Sequence, residues 1–196
     1  MHFCHISYHF CELSQIAICI VGIILIITYM AIWLILINSI YEPFEKAIPY
    51  NEEMRAHFYE DSDYYNYSVS KPSPYFLTFT GNLSISKSVG FDTKGRRVGP
   101  DGSYPYIGTD INMIIWPKIG DGYKICVSII EYDGSVDNNG ASITKSYEYL
   151  LDENKRLLEN LSLTDMQDYY SHIEDINYIY EKMNSMWEIT TKDAKN

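Results

Sequence analysis

The chain has 196 residues, with 15 Lys and Arg against 26 Asp and Glu, a net charge of -11 at pH 7. That sign excludes a protein that grips a nucleic-acid phosphate backbone, and the length suits one domain with an appendage rather than two domains. Hydrophobic residues make up 46% while mean hydropathy is only -0.18. Such an average arises when one strongly apolar segment is joined to a polar remainder.

Residues 1–15 form a short tail carrying His2, Cys4, His5, His9 and Cys11. Thiolates and imidazoles suit borderline metals, but no C-x-x-C pair fixes a geometry here, so neither a metal nor a cofactor is assigned. The run from Ile16 to Ile37 then contains no charge, proline or amide. At 1.5 Å per residue it reaches roughly 33 Å, enough to cross a bilayer, and it lacks the polar stripe of a core helix. It predicts a transmembrane helix over 16–38, with Trp33 and Tyr41 expected at the headgroup level. The apolar core exceeds the roughly 7 to 15 residues of a cleaved signal, which favours an uncleaved signal anchor. Lys46 and Arg55 follow the segment and count towards a cytoplasmic C-terminal domain. A short tail, one anchor and a large C-terminal domain favour export instead, and we read the domain as exported from the inner (plasma) membrane. Of the four cysteines only Cys126 lies beyond the anchor, so no disulfide staples the domain.

Residues 39–74 read as an acidic, tyrosine-rich linker. Asn51 can cap a helix whose first turn holds Glu52 and Glu53, giving a helix at about 51–60. Asp61 and Asp63 beside Tyr59, Tyr64, Tyr65 and Tyr67 allow a docking surface for a basic partner, or a stalk whose tyrosines pack back on the domain; the second is preferred. A soluble domain follows over 75–190. Tyr75, Leu77, Phe79, Leu83 and Ile85 alternate with polar residues as in a strand. The runs 111–119 and 123–132 flank Gly120-Asp121-Gly122 as in a hairpin, with Pro117 marking an edge or bulge. Runs 143–151 and 155–158 add two short strands. About five strands joined by tight turns imply an antiparallel sheet. Thr164 and Gln167 form a capping-box pattern opening an amphipathic helix that carries Met166, Tyr170, Ile173, Ile176, Tyr180, Met183 and Trp187. The fold class is therefore α+β: a transmembrane helix, then a small sheet covered by a long C-terminal helix, with 191–196 as a frayed tail.

Catalytic motifs are missing from the sequence. His57 and His172 sit in no metal-ligand spacing, and neither a nucleophile elbow nor a phosphate loop occurs. The stretch Asp133-x-Ser135-x-Asp137 opens like a calcium loop, but Asn138 and Thr144 stand where glycine and glutamate belong. Cys126 falls mid-strand and reads as a structural thiol. The loop 90–108 is the candidate partner-binding segment: Lys94, Arg96 and Arg97 gather positive charge, and Tyr104 and Tyr106 flank Pro105 as anchors. A solvated hairpin tip is the plainer reading of the same residues. The expected function is a single-pass membrane-anchored, non-enzymatic binding protein with an unidentified protein partner, of an inhibitor or immunity-like kind. The alternative is a structural or assembly component of an envelope complex.

Overall fold

The computed structural model describes residues 2–73, 80–87, 89–117, 123–137, 140–141, 145–158 and 160–189. They fall into two compact units, one built on Met1–Ile40 and the other on Tyr41–Lys71 and the chain from Thr80.

The first unit is dominated by α1, His2–Ala47, which runs on through Pro43 rather than stopping near residue 38. Its apolar run is long enough to cross a membrane. From Ile16 to Leu36 most large apolar side chains are exposed, Ile18 to 70%. Trp33, unlike its exposed apolar neighbours, is buried.

The second unit begins with Tyr41, which is also fully buried, its hydroxyl oxygen accepting the Gly81 N–H at 2.6 Å. Its polar tip is thus satisfied inside the domain. No helix forms at 51–60. Short strands β1 (Tyr50–Asn51) and β2 (Ala56–His57) pair antiparallel instead. Asn51 caps as expected, its Oδ1 accepting the Met54 N–H at 2.9 Å, but Arg55 turns left-handed at φ 52 and reverses the chain.

The expected linker also supplies strands: β3 (Tyr59–Glu60) and β4 (Tyr65–Ser70) belong to the main sheet. Of the four tyrosines expected to pack back on the domain, Tyr65 and Tyr67 are buried, while Tyr59 and Tyr64 are exposed. Next come β5 (Asn82–Lys87), the two-residue strands β6 (Gly90–Phe91) and β7 (Arg97–Val98), and the long strands β8 (Ile107–Pro117) and β9 (Tyr123–Asp133). The short pair β10 (Val136–Asp137) and β11 (Gly140–Ala141) precedes β12 (Lys145–Leu151). The expected strand at 155–158 is reduced to one bridge, Leu151 opposite Leu157. Tyr75, Leu77 and Phe79 lie outside the described residues, as do the hairpin's Gly120-Asp121-Gly122 and the tail 191–196.

The main sheet has six strands in the order β12-β9-β8-β5-β4-β3, every neighbour antiparallel. Pro117 closes β8 opposite Tyr123, where a missing N–H costs least. Leu83, Ile85, Met113, Ile115, Val127, Ile129 and Leu151 are fully buried from the strands. Ile176, Ile179 and Met183 meet them from the C-terminal helices. Burying each such side chain stabilises by about 1.5–3 kcal/mol.

The C-terminal helix is two helices, α2 (Leu163–Ser171) and α3 (Ile173–Trp187). His172 breaks the run at φ -101, ψ 3, its N–H bonded to the Tyr169 carbonyl. The cap is Ser162, whose hydroxyl accepts the Asp165 N–H, rather than Thr164. The break shifts the helical phase, so Tyr169 is buried and Tyr170 is 61% exposed.

Candidate functional site

The loop 90–108 is ordered by its own acids. Asp92 Oδ1 accepts the N–H groups of Lys94 and Arg96 at 2.9 Å each, closing the turn between β6 and β7. Arg96 Nε donates to Asp92 Oδ2 at 2.6 Å, and its guanidinium lies 4.0 Å over the Tyr104 ring. The Arg96 backbone N–H and guanidinium together hold the Asp92 carboxyl below its ordinary range.

Arg97 turns the other way, as adjacent strand residues must. It donates to Asp110 and to the Tyr132 hydroxyl and lies 4.8 Å from the Tyr132 ring centre. Tyr106, buried, donates to Asp110 Oδ1 at 3.1 Å. Burial raises the Asp110 carboxyl, and the Arg97 charge opposes that shift without cancelling it. Burial also pushes the Tyr106 hydroxyl well up, with the Asp110 charge acting in the same direction.

The five expected contact residues therefore divide. Arg97 and Tyr106 are internal supports. Lys94 is exposed, Arg96 and Tyr104 are half-buried against each other with Arg96 paired to Asp92, and the structure adds Phe91 and Ile107, exposed to 65% and 72%. Those two apolar residues were missed because strand alternation alone does not mark a side chain left uncovered at a sheet's end.

A second polar cluster lies between β3, β4 and α3. Asp61 Oδ1 accepts the Asp63 and Tyr65 N–H groups at 3.0 and 2.9 Å. Lys182 bridges Asp61 and Asp63, the latter at 2.8 Å, and faces the Tyr65 and Tyr178 rings. Burial works against the Lys182 ammonium, but its bonds to Asp61 and Asp63 outweigh it and raise the pKa, so the amine stays protonated and is no nucleophile. An open cleft of about 590 Å³ borders this cluster, lined by Pro49, Tyr59, Asp61, Tyr67, Lys182 and Met186 among others. Lys182 is 121 residues from Asp61 in sequence, and no local pattern announces that pairing.

The histidines and the thiol each bond to different partners. His57 Nδ1 bonds the Ile48 carbonyl at 2.8 Å, His172 is buried beside Glu131 and Tyr147, and Cys126 donates to Glu148 at 3.3 Å. No group of three His, Cys, Asp or Glu fit to hold a metal occurs among the described residues. No family model matches the chain, and neither a curated protein nor a solved structure does.

Proposed function

We propose that the chain is a single-pass membrane-anchored binding protein without catalytic activity, its α+β domain exported, acting as an inhibitor or immunity-like partner of another protein. The observation that carries the reading is the exposed apolar surface of α1, which water would not tolerate and a bilayer would cover. The acidic balance supports it as well. All 15 Lys and Arg lie beyond the apolar run, yet 25 of the 26 acids lie there too, leaving a domain that attracts a basic protein. Lys94, Arg96 and Tyr104, with Phe91 and Ile107, offer a separate basic and apolar surface at the loop end that would meet acidic groups of the same partner.

The test is a C-terminal reporter active only when exported, followed by affinity capture from envelope extracts. An active reporter and a stoichiometric partner are expected. An inactive reporter would sink the exported reading, and an empty capture would sink the binding one. Exchange of residues 16–38 for an unrelated anchor separates the alternative, an envelope assembly component, because an inhibitor tolerates the exchange and an assembly subunit does not.

A further inference from the structure

We propose that the outer edge of β12 is a docking site for an extended, basic segment of the partner protein, which adds a strand to the main sheet. The inference rests on reading the chain as a binding protein and names the surface and the chemistry of what it binds.

The backbone carries the first part of the argument. β12 is the last strand on its side of the sheet, pairing with β9 from Lys145 to Leu151. Beyond it the chain makes one bridge, Leu157 to Leu151, and the Leu158 N–H donates to the Leu150 carbonyl at 2.9 Å. The Leu150 carbonyl thus points away from β9. By the alternation of an antiparallel strand, the N–H and C=O groups of Ser146 and Glu148 point outward as well. No backbone partner for them is found among the described residues. An open edge of this kind is a template for an added strand.

Charge selects the occupant. Ser146 and Glu148 are exposed on the strand itself. Glu131 faces Lys145 across the ladder, and Asp165 and Asp168 lie on α2. Those three carboxylates all bear on Tyr149, whose hydroxyl is pushed up to about 12 by burial first and then by their charge. Lys145, at the strand's start, and the exposed Arg156, beside the Leu151–Leu157 bridge, are the cations here, against the four carboxylates of Glu131, Glu148, Asp165 and Asp168. A basic strand laid along this edge gains charge contacts that an acidic one lacks. A second copy of this chain, itself at -11, is repelled. Apolar contacts are available at the same place. Leu158 is 47% exposed beside the bridge, and Tyr170 is 61% exposed next to Tyr169, whose ring meets Tyr149 at 5.1 Å.

The experiment uses the full chain in detergent micelles and two synthetic octapeptides, one alternating Lys and Val, the other Glu and Val. Amide hydrogen exchange at Ser146 and Glu148 is read with each peptide. The Lys-Val peptide should slow exchange at both amides by about fivefold or more, whereas the Glu-Val peptide leaves it unchanged. Glu148→Lys should cut that protection at least by half, whereas Cys126→Ala, which removes the thiol that donates to Glu148 but leaves the Glu148 charge in place, should keep it. Unchanged exchange with both peptides, or equal slowing by both, would overturn the proposal. A captured partner that binds Glu148→Lys as tightly as the wild-type chain would overturn it too, while leaving the binding function standing.

Discussion

Trp187, the last residue of α3, donates its indole N–H to the backbone carbonyl of Phe44 at 3.0 Å, joining the C-terminal helix to the final turns of α1. The ring is buried and meets Tyr67 edge-on with centroids 5.8 Å apart. Trp187→Phe keeps most of the ring and loses the hydrogen bond, and should cost about 1 kcal/mol. Trp187→Ala should cost about 3–5 kcal/mol through the cavity it leaves. Chemical denaturation in detergent monitors both, and equal losses would refute a separate role for the hydrogen bond.

Arg97 and Lys94 sit three residues apart and should respond in opposite ways. Arg97→Met strands the half-buried Asp110 carboxylate and should destabilise the domain by about 2–4 kcal/mol. Lys94→Glu lies on the exposed turn and should change stability by less than about 0.5 kcal/mol. Thermal melts of the two variants, paired with partner capture, distinguish support from contact: binding should fall in Lys94→Glu while its melt is unchanged.

The carboxylates of Asp63 and Asp92 are held below their ordinary range, Asp63 by hydrogen bonds from Lys182 and Tyr178 and Asp92 by Arg96. A depressed folded-state pKa contributes stability that is present above the unfolded value and lost as pH falls through the folded one. The urea midpoint should therefore drop as pH goes below about 4, where free Asp titrates. Asp63→Asn should flatten that slope, and an unchanged slope would count against the Lys182 clamp.

Gly134 follows β9 at φ 82, and a Cβ built there would meet Ile107 Cγ1 at 2.9 Å. Gly134→Ala therefore carries both a left-handed backbone and a steric clash. A loss of about 1–2 kcal/mol is expected from thermal unfolding. The variant should also disturb Ile107, so weaker partner capture is the second readout.

Much of the architecture was legible because it follows from periodicity. The alternation of Ile125, Val127 and Ile129 fixed which face of β9 turns inward, and the spacing of Ile176, Met183 and Trp187 fixed the buried face of α3. Local chemistry misled where two outcomes shared one signal. Asn51 caps a turn as readily as a helix, and only the pairing of Tyr50 with His57 selects the hairpin. Ser162 and Thr164 can each open a helix, and the bond to Asp165 decides between them.

The sequence by itself determined an apolar segment of membrane-spanning length, an α+β domain and an acidic balance, since these depend on composition and on the repeat of side chains along the chain. Only the tertiary structure decided which charges are spent internally. Arg97 meets Asp110, Lys182 meets Asp61, and Trp33 and Tyr41 turn inward. Those choices depend on partners far off in the chain, and the cost of burying a charge or a polar tip is settled only when the partner arrives.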